Sequence, residues 1–354
     1  MIVIGADPHK STHTASAVDA LTGELRSSET VSARKAGHLR LLAWGRSLGE
    51  ERVWAIEDCR HVSGNLERFL VARGERVVRV APKLMAGARR GSRERGKSDE
   101  IDSLAVARAA LREGPEALPC AQLDEQALEI KLLLDHREDL VRARCEDQCR
   151  LRWHLHDLWP ELEIPSGALD RQRWLDRVAR RLGRSQQSAR VRVSRSLVRQ
   201  IRDRVRREHE LVREITTLVR AKAPQLLELP GCGALTAAKL VSETAGAERF
   251  SSDAHFARIA GVAPIPVSSG RSDRHRLDRG GNRQLNCALH RIAVTQGRVH
   301  PDARDFLARK QAEGKTRMEA LRCLKRHLAR TVWKTMTAPK TPTLKTPAPT
   351  PVLT

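Results

Sequence analysis

Tyrosine is missing from this 354-residue chain, and phenylalanine occurs only four times. Without a phenolic hydroxyl no phosphotyrosine bond to DNA can form, which excludes every recombinase, relaxase or topoisomerase built on a tyrosine nucleophile. Long apolar runs are missing too. No uncharged stretch approaches the ~18 residues that a membrane span requires. The amino-terminal run Ile2-Val3-Ile4-Gly5-Ala6 meets a charge at Asp7, unlike a signal peptide. The seven cysteines (Cys59, Cys120, Cys145, Cys149, Cys232, Cys287, Cys323) are odd in number and scattered, which fits a reducing cytoplasm and not a disulfide framework. Cys145 and Cys149, with His154 and His156 beyond them, match no common zinc spacing well. The expectation is a soluble cytoplasmic protein with no membrane partner.

What is present in excess is positive charge. Lys and Arg number 65 against 43 Asp and Glu, a net charge of +22. An excess of that size makes a polyanion the first partner to consider, nucleic acid ahead of an anionic membrane surface. Hydrophobic residues make up 40% of the chain, enough for a core in each of two or three domains.

Residues 1–115 read as strands and helices in a mixed order. Ile2 to Ala6 is a buried strand ending at Asp7, followed by strands Thr14–Asp19 and Glu24–Val31 around a Leu21-Thr22-Gly23 turn. A helix with Leu39, Leu42 and Trp44 among its apolar positions precedes the strand Val53–Ile56. A second helix with Leu66, Phe69 and Leu70 precedes the strand Arg76–Val80. Three strands in a meander followed by β-α-β predict a ribonuclease H-like mixed sheet with helices on its faces. Residues 116–222 lose the strand signal. Leu128, Leu132, Leu140, Leu151, Leu155 and Leu158 recur at helical spacing, and Pro160 and Pro165-Ser166-Gly167 interrupt them, predicting two long helices joined by a turn.

Residues 171–215 hold fifteen arginines, no lysine and five acids, a bias that suits phosphate contact and base stacking by an arm for nucleic acid. Residues 223–336 form a third, mainly helical region opening on Leu229-Pro230-Gly231-Cys232-Gly233. That turn is either a phosphate-binding helix-hairpin-helix or an ordinary tight turn between packed helices. Its last helix carries Leu321, Leu324, Leu328 and Val332 on one side, while Arg322, Lys325, Arg326, Arg330 and Lys334 supply its charge. Residues 337–354, rich in Pro, Thr and Lys, read as a disordered tail.

Four acids stand at matching element ends. Asp7 closes the first strand and Glu57 the fourth, while Asp99 and Asp102 open a helix three residues apart, on one face. In a ribonuclease H-like sheet the first and fourth strands are neighbours, so these carboxylates converge. Converging carboxylates take up protons unless divalent cations neutralise them, and oxygen ligands of this kind suit Mg2+ or Mn2+. Two such ions about 4 Å apart serve phosphodiester cleavage. Each acid alone reads more plainly as a turn, helix-dipole or ion-pair residue. The preceding Arg89, Arg90, Arg93, Arg95 and Lys97 look like a basic loop that brings a phosphate backbone to the ions. A sugar-kinase-like ATPase would share the first aspartate but needs further Gly-rich phosphate loops, which are not found. Farther on, Ser268-Ser269-Gly270 lies among Arg271, Arg274, His275, Arg276, Arg279 and Arg283. Such a loop is usually only a turn, although guanidinium groups also stabilise phosphoryl transfer to a serine.

Together, Ile4-Gly5-Ala6-Asp7-Pro8-His9-Lys10, Ile56-Glu57, Lys97-Ser98-Asp99 with Asp102, and Leu229-Pro230-Gly231-Cys232-Gly233 resemble the insertion sequence 110 family of transposases. Ala260-Gly261, Ser268-Ser269-Gly270, Arg279 to Asn286 and Glu313-Gly314-Lys315-Thr316 extend the resemblance in order up to Met336. The resemblance implies a RuvC-like DEDD domain, a coiled-coil middle and a carboxy-terminal transposase domain in a bacterial, nucleoid-associated enzyme. It places Asp7, Glu57, Asp99 and Asp102 at the magnesium-binding positions and Ser269 at that of the nucleophile, with Ser268 the alternative register. It further implies a dimer or tetramer that pairs a structured bridge RNA with element ends and target DNA, cutting and rejoining through phosphoserine. Arg279-Gly280-Gly281 and Arg271 depart from the family's commoner Lys-Arg-Gly and glycine. The competing readings are a metal-dependent, structure-selective nuclease without a covalent step, and a non-catalytic nucleic-acid-binding protein.

Overall fold

Strand β1 (Ile2–Pro8) is buried at every position after the first, as the centre of a sheet requires. In the computed structural model, which describes residues 1–57, 60–82, 84–85, 98–122, 124–267, 275–276, 278 and 280–338, β1 pairs antiparallel with β2 (Thr12–Asp19) and parallel with β4 (Arg52–Glu57). Strand β3 (Leu25–Ser32) flanks β2, and β5 (Val77–Val80) flanks β4, giving the order β3-β2-β1-β4-β5. This is the mixed sheet expected from the meander and β-α-β pattern, in a chain otherwise mostly helical. Asp19 closes the β2–β3 hairpin by accepting from the backbone N–H groups of Leu21 and Thr22. Gly23 takes the left-handed φ of 72° that the turn needs.

Alternation along the strands divides the core. Ile4, Ala6, Trp54 and Ile56 point to the side of α1 (Lys35–Ser47) and α2 (Arg60–Val71). Leu41 and Leu42 carry the α1 contact, whereas Leu39 is 47% exposed and leaves the apolar set. Val3, Val53, Ala55, Val78 and Val80 point to the opposite side, against α3 (Asp99–Glu113). Gly5 lies on this second side. A Cβ there would sit 2.2 Å from Ser103 O and 2.3 Å from Ala107 N, so only glycine lets α3 lie directly on β1.

The middle of the chain consists of α4 (Glu125–Leu158) and α6 (Ala189–Lys222), each 34 residues long and about 50 Å in length. They pack side by side, but the connection is more than the expected turn. It folds a third helix, α5 (Gln172–Arg184), whose Leu175, Val178 and Leu182 build a distal core with Leu151, Leu155, Leu197, Val198 and Ile201. At the near end Ile130 and Leu134 enter a larger core with Ile215 and Val219. Of the leucines at helical spacing, Leu128 is 39% and Leu132 62% exposed, and both lie off that face. The helical carboxy-terminal region comprises α7 (Ala234–Thr244), α8 (Asp253–Ile259), α9 (Arg283–Val299), α10 (Pro301–Ala312) and α11 (Arg317–Thr337). In the turn that joins α6 to α7, Gly231 has φ 79°, a Cβ on it would meet Thr295 and Ile292 O, and Gln296 donates to Pro230 O at 2.7 Å. That turn is packed onto α9. Among the described residues no helix is long and apolar enough to cross a membrane.

Candidate active site

The side of the sheet that receives α3 also carries the acids. Asp7 follows Val3 and Gly5 at the same alternation, and Glu57 follows Val53 and Ala55. Continuing the β1–β4 register one step past Ala6 and Ile56 sets Asp7 beside Glu57. The helix supplies the other pair. Ser98 caps α3 by accepting from Ile101 N–H at 3.2 Å, so the helix begins in register with Asp99. Asp102, one turn on, is buried against the sheet, while Glu100 faces outward. The close approach at Gly5 therefore determines how near Asp102 comes to Asp7.

The resulting electrostatics is unfavourable to charge at Asp7. Burial pushes its carboxyl above the usual range, Asp102 and Asp99 push the same way, and His9 opposes them. His9 is the residue that a search for carboxylates passed over. Its Nε2 lies 3.1 Å from Asp7 and 3.3 Å from Asp99, so it bridges the strand end to the helix start. One ligand atom from each of Asp7, His9 and Asp99 falls within 4.8 Å of the others, a spacing that one divalent cation can span. The signal was in the sequence: Asp7-Pro8-His9 has the i, i+2 spacing that keeps two side chains on one side of an extended chain. Two carboxylate oxygens and an imidazole, with two more acids adjacent, form a donor set that suits a divalent cation.

The second site predicted from sequence lies partly outside the described residues. Ser269 and Ser268 are there, with Arg271, Arg274 and Arg279. So are Arg89, Arg90, Arg93, Arg95 and Lys97 of the basic loop. The stem that leads to the serines is described. Strands β6 (Ile265–Pro266) and β7 (His275–Arg276) pair antiparallel as a two-stranded ribbon, with Arg276 exposed on it and Arg283 exposed at the start of α9. The ribbon's base is held firmly. A Cβ on Gly281 would stand 2.2 Å from Gly261 N, and Asn282 N–H donates to Ile259 O at 2.6 Å. The Asn286 amide donates to Ala260 O and Gly261 O. Asn282 also donates to buried Glu243, which accepts from Lys131 of α4. Within the stretch Arg279 to Asn286, the residues Gly281, Asn282 and Asn286 thus fasten the ribbon.

The comparisons with known proteins fall in the same two regions. A model described as a transposase, of the IS110 DEDD type, matches residues 4–160. A second, described as the transposase IS116/IS110/IS902 family, matches residues 223–308. The 44.8 kDa protein of insertion element IS116 from Streptomyces clavuligerus is 28% identical over 98% of this chain and 97% of its own length. The 42 kDa protein of insertion element IS900 from Mycobacterium paratuberculosis is 24% identical over 86% of this chain and 88% of its own length. T. thermophilus RuvC, solved with a Holliday junction substrate, aligns with 34% of this chain and 99% of its own at 17% identity and a TM-score of 0.27. The class is that of transposases with a DEDD domain, which bind and cut DNA. Within it, the chain belongs to the IS116/IS110/IS902 family.

Proposed function

We propose that this protein cuts and rejoins the DNA of its own insertion sequence through a serine nucleophile assisted by the carboxylate site. The observation that carries the reading is the convergence of Asp7, His9, Asp99 and Asp102 at one end of the sheet, where buried negative charge needs a cation. Asp7, Glu57, Asp99 and Asp102 hold Mg2+ or Mn2+, and His9 keeps Asp7 and Asp99 aligned. A metal held there would supply Lewis-acid charge to offset the negative charge that builds up on the scissile phosphate in the transition state. Ser269 Oγ displaces a deoxyribose oxygen from phosphorus, leaving a phosphoserine and a free hydroxyl. Attack by a second strand's hydroxyl then restores the phosphodiester. Arg271, Arg274, Arg276, Arg279 and Arg283 offset the phosphate charge.

Domains follow from this division of labour: 1–115 for the metal site, 116–222 for the arm, 223–336 for the serine. The arm is the surface for a structured bridge RNA. Arg173, Arg184, Arg192, Arg199, Arg207 and Arg213 are exposed and, among the described residues, outside its ion pairs. The reading also includes a homo-oligomer. Glu113, at the end of α3 opposite to Asp99, pairs with Arg258 of α8 at 3.0 Å. The ribbon's base thus lies near one end of a helix about 21 Å long, with the acids at the other. A second copy is the natural source of the serine for each carboxylate site.

Strand joining on a plasmid carrying the element's ends tests the assignment. Asp7→Ala and Ser269→Ala abolish it, and Ser268→Ala retains it. A metal-dependent nuclease without a covalent step predicts instead that Ser269→Ala still cuts.

A further inference from the structure

Lys325 departs from its place in the sequence. Counted there among the charges of α11, it is only 5% exposed. It stands four residues after Leu321 and seven before Val332, inside the apolar stripe. Its ammonium donates to Asn286 Oδ1 at 2.5 Å, and among the described residues no carboxylate is paired with it. Burial pulls its pKa down and neighbouring Arg322 adds to this, while Cys287 opposes them. A buried ammonium held by one neutral amide is costly unless an anion arrives.

The side chain lines an open cleft of about 770 Å³ between the β6–β7 ribbon and the α10–α11 turn. Six cationic side chains (Arg276, Lys310, Lys315, Arg322, Lys325 and Arg326) line it against three carboxylates. Each of the three is engaged: Glu313 by Lys310, Glu319 by the capping box of α11, Asp278 by Gly280 N–H. Lys310, Arg322 and Arg326 are themselves paired, with Glu313, Glu319 and Asp253, so the positive charge the cleft offers a ligand is that of Arg276, Lys315 and Lys325. Asn286 connects Lys325 to the base of the ribbon, because the same side chain donates to Ala260 O and Gly261 O.

We propose that this cleft binds the backbone of the DNA strand being cut, and that Lys325 holds one of its phosphates while reporting its presence, through Asn286, to the stem that carries Ser269. The ligand class is a single-stranded phosphodiester. DNA is favoured because the ribbon that forms one wall of the cleft is the one that carries the proposed nucleophile. The proposal rests on the serine reading for the identity of the strand, but its test involves no bond cleavage. Lys325 is a positioning residue.

Cys323 lines the same cleft and is half-buried, which provides a local probe. The full-length protein, kept free of divalent cations, is titrated with single-stranded DNA of the element's own terminus. The rate of Cys323 alkylation by N-ethylmaleimide is read by peptide mass spectrometry. DNA is expected to slow alkylation, and Lys325→Met to require about tenfold more DNA for the same protection, the worth of one charge-assisted contact. Lys325→Gln keeps a hydrogen bond to Asn286 without the charge. It folds like the parent and shows the same loss, which separates the anion site from a structural role. Lys334→Met, which removes an exposed charge from the same helix, leaves protection unchanged. Wild-type DNA affinity in Lys325→Gln overturns the proposal, as does protection by RNA of the same sequence but not by DNA. If instead protection behaves as expected while no serine adduct ever forms, it is the serine reading that fails.

Discussion

At Asp7, burial and two neighbouring carboxylates all favour the neutral acid, and His9 alone opposes them. Removing the charge therefore relieves the metal-free protein. Asp7→Asn is expected to melt above the wild type in chelator, to lose the upward shift that Mn2+ gives the wild type, and to cut DNA at least about a hundredfold more slowly. Differential scanning fluorimetry with and without Mn2+ checks the first two. A wild type that Mn2+ does not stabilise would remove the metal from the account. The acids themselves were legible in the sequence, because strand ends and a three-residue helical spacing are patterns a reader can count. His9 and Lys325 were equally countable, one by an i, i+2 step and the other by its place in a heptad-like stripe. Residue type hid them: a search for carboxylates passes over a histidine, and a lysine is assigned by habit to the wet side of a helix.

Two contacts between elements decide whether the sites hold their shape. The Gly261–Gly281 approach leaves no room for a side chain, so Gly281→Ala must push the ribbon stem away from α8. A loss of about 2 kcal/mol or more in chemical denaturation is expected, with strand joining lost in the same variant. On the far side of the sheet, His13 of β2 stacks on His38 of α1, with Nε2 atoms 3.1 Å apart. Burial, and next the charge of His38, pull His13 down to about 4. A depressed histidine resists protonation in the folded state, so its contribution is whole above pH 6.5 and is lost as the pH falls from there towards 4, up to about 3 kcal/mol. His13→Gln is expected to flatten that part of the stability–pH curve; an unchanged slope would show that the pair is not its source. At this scale the sheet was readable because strand alternation and turn residues are local. The third helix of the arm and the true face of α4 were not. Leu128 and Leu132 have the right spacing, but Ile130 and Leu134 meet the core because Ile215 and Val219 lie opposite them, a pairing that no local pattern encodes.

Across the whole molecule, charge and connectivity carry the function. The net charge of +22 comes from residues 171–215, which contribute +10, and residues 223–354, which contribute +12, so binding of nucleic acid should weaken steeply with salt. The distance along α3 between the acids and the ribbon's base makes a stronger prediction. Asp7→Asn and Ser269→Ala, each inactive alone, should regain part of the joining activity when mixed before DNA is added, because the proposed oligomer of both would contain sites with an intact serine and intact acids. Recovery is measured on the same plasmid substrate, and a mixture as inactive as its components would confine both groups to one chain. The most direct measurement is the chemistry of the bond itself: denature the reaction on labelled element-end DNA, digest the protein, and locate the attached nucleotide by mass spectrometry. The account predicts a nucleotide on Ser269, formed only with Mg2+ or Mn2+ and absent in Asp7→Asn. DNA that is cut while every serine stays unmodified would contradict it.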